Sequence, residues 1–410
     1  MISRADLRAL DASDPLARFR DRFVLPRGVI YLDGNSLGAL PRETAARVAR
    51  AIEREWGRDL IRSWNEHGWI GLPLRLGDKV GRLIGAAPGQ VVVADSTSVN
   101  LFKLLAAALA LRPDRGVILS EEGNFPTDLY VAQGVVELLG RRHVLKVVSG
   151  EDVPRAIDDS VAVVSLTEVN YLTGRRHDMA AVTAKAHAAG ALTLWDLSHS
   201  AGAFPVALDD SGADFAVGCG YKYLCGGPGA PAFLYAALRH QGSLRNPLSG
   251  WMGHAQPFEF DPAYRPAQGI ARLLCGTPPI LSMTALECGV DLLLEADMAE
   301  VRAKSMALTH SFIALVEEEC PGAFALASPR APEERGSQVS LRHPHGYAVA
   351  QALIAGGVVP DFRAPDVVRF GFAPLYLRHV DVWDAVQALK RIIAEDSWRD
   401  PAFARRRAVT

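Results

Sequence analysis

Two apolar runs, each followed by charged side chains, constrain the fold of this chain more than any other feature. The run Leu192–Asp196 ends on a carboxylate, and His199 follows three residues later. The run Phe215–Gly218 leads to Lys222 and then to a cluster of glycines. Short, fully apolar runs are typical of buried strands in parallel sheets, which bind ligands at the carboxyl ends of their strands. The sequence therefore predicts that Asp196 and Lys222 meet at one edge of a sheet.

An acid and a lysine on neighbouring strand ends match the needs of one cofactor, pyridoxal 5'-phosphate (PLP). A lysine holds PLP as a Schiff base, and a carboxylate keeps its ring nitrogen protonated so that the ring accepts electrons. Lys222 is the only lysine of the sequence that lies between an apolar run and a glycine-rich turn. The alternative is an ordinary one, in which Asp196 caps or pairs locally and Lys222 is solvated.

Strand and helix patterns alternate through the middle of the chain, which predicts an α/β fold with a large, mostly parallel sheet and helices on both faces. A long helix pair then leads to a smaller α+β region. We predict strands at 91–95, 117–120, 143–148, 161–166, 191–195, 214–218, 231–236, 337–342 and 367–372. We predict helices within 1–28 and at 41–56, 99–111, 126–139, 153–158, 179–189, 281–295, 297–319, 346–356 and 380–395, followed by a fraying tail at 400–410.

Polar or aromatic loops follow several of these patterns. Residues 96–100 open an apolar helix, and hydroxyls with free amides at a helix amino end suit a phosphate, although an ordinary N-cap is the more frequent use of such residues. Phe125 follows the next strand and is placed to cover one face of a pyridine ring. The loop 63–69 contains Trp64 and suits either stacking on a planar substrate or simple surface packing.

Composition excludes several other classes of protein. A net charge of −2 provides no basic surface for nucleic acid or for an anionic membrane. The amino terminus lacks the apolar core of a signal peptide, and the apolar segment 101–111 is too short to cross a bilayer. Five cysteines without metal or framework spacing indicate free thiols in a reducing cytoplasm. His343 and His345 have no evident third ligand, so we expect no metal site.

Seven short motifs, taken together and in order, carry a family resemblance. They are Asn-Ser-Leu-Gly (35–38), Ser-Val-Asn (98–100), Phe-Pro-Thr-Asp (125–128), Asp-Leu-Ser-His (196–199), Tyr-Lys-Tyr (221–223), Gly-Trp (250–251) and Thr-Pro-Pro-Ile (277–280). In this combination the chain resembles kynureninases of the bacterial type, from about residue 29 to about residue 385. These are fold-type I PLP-dependent enzymes of the class V aminotransferase-like branch. Each motif alone is weak, whereas their conjunction is specific.

The resemblance implies roles for the matching residues. Lys222 is the Schiff-base lysine and Tyr221 is a candidate proton carrier, so these two are the expected catalytic residues. The expected PLP contacts are Thr97, Ser98, Phe125, Thr127, Asp128, Thr167, Asp196, His199, Tyr221, Lys222, Trp251 and Thr277. The expected substrate contacts are Asn35, Ser36, Trp64, Thr277 and Arg369.

Within that set, Asp196 faces the ring nitrogen with support from Asp128 and His199, and Phe125 stacks on the ring. The phosphate is bound by Thr97, Ser98 and Tyr221, together with Trp251 and Thr277 of the neighbouring subunit of a homodimer. Arg369 grips the α-carboxylate of the substrate, a task for which a guanidinium fork is well suited.

The implied activity is hydrolytic Cβ–Cγ cleavage of L-kynurenine to anthranilate and L-alanine, in the tryptophan-degrading kynurenine pathway that also serves NAD biosynthesis. Trp64 and Thr277 stand where vertebrate-type kynureninases carry His and Asn, which implies weaker action on 3-hydroxykynurenine. The implied division is an amino-terminal segment (1–55) that packs with the small domain, a large PLP-binding domain (56–295) and a small carboxyl-terminal domain (296–410).

Two other functions stay open from the sequence. A cysteine desulfurase or small-substrate aminotransferase has the same fold. However, desulfurases carry a nucleophilic cysteine on a loop of the small domain, and no cysteine follows Cys320. A PLP-binding protein without lyase activity belongs to a different class, and release of anthranilate separates it from the enzyme.

Overall fold

The computed structural model describes residues 2–140 and 142–407. The strands are β1 (Phe23–Val24), β2 (Ile30–Tyr31), β3 (Leu40–Pro41), β4 (Val91–Val93), β5 (Val117–Glu121), β6 (Val144–Val148), β7 (Val161–Thr167), β8 (Leu192–Asp196), β9 (Phe215–Gly218), β10 (Phe233–Ala236), β11 (Ala325–Leu326), β12 (Gln338–Arg342), β13 (Val358–Val359), β14 (Asp361–Arg363) and β15 (Val367–Gly371). The α-helices are α1 (Arg4–Ala12), α2 (Arg42–Arg50), α3 (Ser63–Glu66), α4 (Leu72–Ile84), α5 (Thr97–Leu111), α6 (Pro126–Leu139), α7 (Val153–Ala156), α8 (Met179–Ala188), α9 (Leu208–Ser211), α10 (Leu238–Gln241), α11 (Ile280–Leu294), α12 (Met298–Glu319), α13 (Gly346–Ala355), α14 (His379–Ala394) and α15 (Pro401–Ala404).

The central sheet confirms the predicted α/β architecture. In the described part of the chain it has seven strands in the order β4-β10-β9-β8-β7-β5-β6. Only β10 runs antiparallel to its neighbours there, and β5 to β9 are parallel. Helices cover both faces of the sheet, since β7 and β8 are mostly apolar and are buried along their whole lengths. The carboxyl ends of the parallel strands therefore share one edge of the sheet.

A second sheet lies in the carboxyl-terminal part of the chain. Its four described strands are antiparallel in the order β11-β12-β15-β14. Phe312 of α12 packs on this sheet, with its ring centroid 4.6 Å from Phe370 and 5.4 Å from Phe372. The amino-terminal strand β2 pairs in parallel with β13. The first residues of the chain are thus tied to the region that follows α12.

Most predicted elements lie within one or two residues of the observed ones, and the differences are local. The predicted helix within 1–28 is too long: α1 ends at Ala12, and a 3₁₀-helix covers Ala17–Arg22. Pro15 lacks the amide hydrogen that a continuing helix requires, so the chain turns there. The loop 63–69 contains the short helix α3, and the tail expected to fray contains α15. Residues 408–410 of that tail lie outside the described residues. No helix among the described residues is long and apolar enough to cross a membrane.

Candidate functional site

The shared edge of β7, β8 and β9 brings several of the predicted residues together. Thr167 ends β7 and is paired with Asp196 at the end of β8. Asp196 is in turn paired with Val217 of β9, from which the chain leads to Lys222. The parallel register therefore places three chemically active groups at one edge, as the pattern of the apolar runs predicts.

The amine of Lys222 lies among buried and aromatic groups. Its Nζ is 3.0 Å from Nε2 of His199, 5.8 Å from the ring centroid of Phe125 and 5.9 Å from that of Tyr221. Burial lowers the pKa of His199 well below its ordinary value, and the charge of Lys222 lowers it further. His199 is therefore neutral near pH 7, and its Nε2 can accept a hydrogen bond from Nζ of Lys222.

Two buried carboxyl groups lie beside this amine. Oδ1 of Asp196 accepts hydrogen bonds from the backbone nitrogen and the hydroxyl of Ser198, at 2.8 and 2.6 Å. Burial raises the pKa of Asp196, against the opposing charge of Lys222. Burial and the charge of Asp196 raise the pKa of Asp128 well above its usual range. Like charges in one buried site disfavour double ionisation, so Asp128 carries the proton when Asp196 is charged.

Asn124 organises the same group of residues, and the sequence reasoning did not select it. Its Nδ2 donates to Oδ2 of Asp128 at 3.1 Å, and its Oδ1 accepts from the backbone nitrogen of Thr167 at 2.7 Å. Asn124 is buried, and it connects the start of α6 to the end of β7. The position of an amide that bridges a helix start and a strand end is set by packing, and the only local signal was its place directly before Phe125.

The amino end of α5 lies at the same end of the sheet. Ser96 is its N-cap, and its hydroxyl accepts from the backbone nitrogen of Val99. In the described residues the backbone nitrogens of Thr97 and Ser98 have no hydrogen-bond partner, and both side chains are partly exposed. Free amides at the positive end of a 15-residue helix form an anion site. Thr127 lies in the first turn of α6, also partly exposed.

Arg369 lies on β15 and is almost fully buried. Its Nε and Nη2 donate to the two oxygens of Asp361 at 2.8 and 2.6 Å. Nη2 also contacts the hydroxyl of Ser36 at 3.2 Å, and Nη1 donates to the backbone oxygen of Tyr171 at 2.6 Å. The ring of Tyr171 packs edge-on against Phe125, with centroids 5.2 Å apart. Tyr171 thus connects the arginine to the ring that lies over Lys222.

The sequence reasoning also missed Asp361, although a signal for it exists. Asp361 and Arg369 face each other across the β14–β15 pairing, and the residues between them form a tight connection. A charged pair across a short antiparallel hairpin is recognisable from its strand pattern and turn residues.

Asn35 and Gly38 belong to the loop that follows β2. Asn35 is fully buried, and its Nδ2 donates to Oε1 of Gln338 at 2.9 Å, so it holds the loop against β12. The backbone nitrogen of Gly38 donates to the backbone oxygen of Tyr221 at 2.8 Å. A Cβ on Gly38 would collide with the backbone oxygen of Lys222, so this close approach requires glycine.

A second group of predicted residues forms a separate pocket. Trp64, Trp251 and Thr277 line a cavity of about 500 Å³ together with Phe258. The rings of Trp251 and Phe258 meet edge to face with centroids 5.7 Å apart. Among the described residues, no hydrogen bond or ring contact joins this pocket to Lys222, Asp196 or His199. One chain therefore presents two half-sites, the lysine cluster and the tryptophan pocket.

The lysine cluster fits PLP on features of its own. Oγ1 of Thr167 and Nδ1 of His199 are buried without a partner in the described residues, so each has bonding capacity left for a ligand. The second oxygen of Asp196 also accepts no hydrogen bond from the described side chains or backbone. A free carboxylate oxygen, a reactive amine, an aromatic face and an anion-binding helix end are the groups that this cofactor requires.

Comparisons with known proteins agree with this geometry. Residues 301–389 match the family described as the kynureninase C-terminal domain. The chain is 56% identical over 416 aligned residues to a kynureninase of Burkholderia pseudomallei (strain 1106a) and 52% identical to one of Pseudomonas fluorescens. Each alignment covers 100% of both chains.

Solved structures show the same fold at low sequence identity. An apo cysteine desulfurase from Thermococcus onnurineus NA1 matches with a TM-score of 0.77 at 19% identity, covering 92% of this chain and 98% of that one. A variant of the lyase C-DES, with glycine covalently linked to its PLP cofactor, matches with a TM-score of 0.77 at 15% identity, covering 95% and 99% of the two chains.

Proposed function

The chain belongs to the kynureninase family, and from this premise we propose that it hydrolyses L-kynurenine to anthranilate and L-alanine with PLP as its cofactor. The observation that carries the proposal is the position of the Lys222 amine, 3.0 Å from a neutral buried histidine and beside the Asp196–Asp128 pair. A reactive amine next to a buried anion is the arrangement that PLP chemistry at an α-carbon needs.

Several residues would hold the cofactor. Lys222 would bind it covalently, and Asp196 would hold the proton on its ring nitrogen. Neutral His199 and protonated Asp128 leave Asp196 as the one anion of the cluster, so the site does not accumulate charge. The free amides of Thr97 and Ser98 would bind the phosphate at the end of α5. When bound, PLP withdraws electrons from the substrate's α-carbon.

The chain's own groups account for proton transfer and for orientation of the substrate. Nζ of Lys222 is the base that takes the α-proton, because it is the amine that lies at this edge of the sheet among the described residues. Phe125 and Tyr171 pack edge to face on one side of the site, and Phe125 stays partly exposed to solvent. Tyr221, half-exposed and with its ring 5.9 Å from Nζ, is a proton carrier between the site and solvent. Arg369 orients the substrate through its α-carboxylate.

The cysteines do not favour the desulfurase alternative. A desulfurase needs a reactive thiolate, and burial raises the pKa of Cys225 to about 12 and that of Cys320 to about 11. Burial also raises the pKa of Cys288. Their free state suits a reducing compartment, and we propose the cytoplasm.

The decisive experiment follows the visible absorbance of the purified protein with PLP and the fluorescence of anthranilate after L-kynurenine is added. The wild type should show a cofactor band and release anthranilate. Lys222→Ala should lose both the cofactor band and the release of anthranilate. Lys185→Ala, which alters an exposed lysine on α8, should behave as wild type. A wild type that binds PLP but releases no anthranilate would contradict the proposed activity.

The two half-sites support a homodimer in which the tryptophan pocket of one chain completes the lysine cluster of the other. Mixing the Lys222→Ala and Trp251→Ala variants tests this sharing, since a hybrid dimer would contain one intact site. Partial recovery of activity is expected after refolding or slow exchange of the mixed variants. A dimer by size exclusion that recovers nothing would argue that each site is built from a single chain.

The tryptophan pocket also supports selectivity for L-kynurenine over 3-hydroxykynurenine. Trp64 and Thr277 share one cavity, and neither an indole face nor a short hydroxyl side chain offers a ring hydroxyl as many partners as His and Asn. The double variant Trp64→His, Thr277→Asn should shift the ratio of kcat/KM toward 3-hydroxykynurenine by about tenfold, the value of one added hydrogen bond to a substrate. An unchanged ratio would remove these residues from the account of selectivity.

A further inference from the structure

Asp361 is the centre of a buried charged cluster beside the proposed carboxylate site. Its oxygens accept from Nε and Nη2 of Arg369 and from the hydroxyl of Ser36 at 2.8 Å. A second guanidinium, that of Arg363, reaches Oδ2 of the same carboxylate at 2.8 Å. Asp361 is thus shared by two arginines, and one carboxylate cannot neutralise both.

The two arginines differ in the donors they have left. A guanidinium carries five N–H donors. Arg369 uses four of them in hydrogen bonds, on Asp361 twice, on Ser36 and on the oxygen of Tyr171, which leaves one. Among the described residues, Arg363 contacts Asp361 and, at 3.2 Å, the backbone oxygen of Phe362, which leaves three donors. Its side chain is 39% exposed, against 2% for Arg369.

Arg363 lies within electrostatic reach of His199 and of Tyr171, which packs against Phe125. The charges of both arginines act on His199, whose Nε2 contacts Lys222. The nearby acid Asp33 does not supply a full compensating charge, because burial and the charge of Asp361 raise its pKa to about 7. The cluster therefore carries positive charge near neutral pH and is completed by one further anion.

We propose that Arg363 is a second binding group for the α-carboxylate of the substrate, acting beside Arg369. Asp361 then serves as a positioning residue that holds the two guanidinium groups side by side. A carboxylate has two oxygens and about four acceptor positions, so the single donor left on Arg369 satisfies only part of it. This inference rests on the proposed function, because the ligand is the carboxylate of that substrate.

The test uses the PLP holoenzyme and the substitution Arg363→Gln. Loss of a charge-assisted hydrogen bond should raise KM for L-kynurenine about tenfold or more, with a smaller change in kcat. Kynuramine, which has the same skeleton without the carboxylate, is the matched probe, and its inhibition constant should stay within about twofold. Arg342→Gln is the matched control variant: Arg342 is 42% exposed and pairs with Asp366 at 2.7 Å in the same sheet. Arg363→Lys keeps the charge without the fork and should give an intermediate KM.

Each outcome separates the two levels of the proposal. A wild type without anthranilate release means that the proposed function fails. With an active wild type, the role of Arg363 is overturned if Arg363→Gln and Arg363→Lys match Arg342→Gln, or if kynuramine binding weakens as much as kynurenine binding. If Arg363 acts only by positioning Asp361 and Arg369, adding Arg363→Gln to Arg369→Lys should cause no further loss of L-kynurenine affinity. That result would also overturn direct binding of the carboxylate by Arg363.

Discussion

Asp196 and Asp214 are both buried aspartates of the central sheet, yet their surroundings are opposite. Asp196 ends β8, and among the described residues it accepts hydrogen bonds from the amide and hydroxyl of Ser198. Asp214 stands just before β9, at the other edge of the sheet. It accepts from His187 at 2.9 Å, from Arg239 and His240 at 2.7 Å, and from the amide of Thr193 at 2.8 Å.

The pKa values follow this difference. Burial raises the pKa of both carboxyl groups. At Asp196 that effect prevails, whereas at Asp214 hydrogen bonds from His240, His187 and Arg239 outweigh it and leave the pKa well below its usual range. The carboxylate of Asp214 accepts several hydrogen bonds within the protein, so it stabilises the fold and has no acceptor position left for a ligand. The carboxylate of Asp196, at the carboxyl end of its strand, accepts fewer hydrogen bonds. Its burial therefore costs stability, and it is available to a cofactor.

The largest contrast is expected in catalysis. Asp196→Asn keeps the shape of the side chain and removes the charge that holds the ring proton, so kcat/KM should fall about 10²-fold or more, as for other positioned charged groups. Asp214→Asn should leave kcat/KM of the folded enzyme near the wild-type value. The measurement is anthranilate release, normalised to the cofactor absorbance. Equal losses in both variants would mean that the two carboxylates do not divide their roles as proposed.

Stability should show the reverse order. Asp214→Asn removes the buried anion shared by Arg239, His187 and His240, so the free energy of unfolding should fall by about 2 kcal/mol. Asp196→Asn should change that of the cofactor-free protein by less, because fewer donors lose a partner. Urea unfolding followed by circular dichroism provides both values. A larger loss in Asp196→Asn would reverse the comparison.

The pH dependence of stability should differ in sign. The pKa of Asp214 is lowered, so its contribution is fully present above its unfolded pKa of about 3.9 and is lost as pH falls below it. The pKa of Asp196 is raised, so in the cofactor-free protein its contribution is present below about 3.9 and is lost as pH rises through the folded value. Unfolding free energies of wild type minus each Asn variant, measured between pH 3 and pH 8, should therefore slope in opposite directions. Parallel slopes would contradict the assigned surroundings.

The smallest effect on stability is expected at His187, on the exposed side of the Asp214 site. The side chain of His187 is 39% exposed, and Asp214 keeps its other donors when it is lost. His187→Gln should lower the free energy of unfolding by about 0.5 kcal/mol, as for an exposed pair. His240→Gln, in which the lost side chain is 13% exposed, is the matched comparison and should cost more. A larger loss of unfolding free energy in His187→Gln than in His240→Gln would show that burial of the histidine does not determine the size of the effect.

Much of the architecture was predictable because it is encoded locally. Apolar runs such as 161–166 and 191–195 are too short for helices and too apolar for exposed strands, so their order along the chain implies a parallel sheet. The fold prediction failed at Pro15, where the helical pattern continued but the backbone lost a donor. The roles of the individual site residues stay predictions until the variants are measured.

The sequence by itself determined which strands end in chemically active residues, and it thereby determined that Asp196 and Lys222 lie at one edge of the sheet. Only the tertiary structure decided that Asn124 bridges Asp128 to Thr167, that Asp361 occupies most of Arg369 and leaves Arg363 with free donors, and that Trp64 and Thr277 form a pocket apart from Lys222. The physical reason is that a sequence pattern reports local structure and not side-chain contacts between elements. Periodicity reports which face of a strand or helix is buried, whereas the hydrogen bonds of individual side chains in different elements depend on how the buried faces pack.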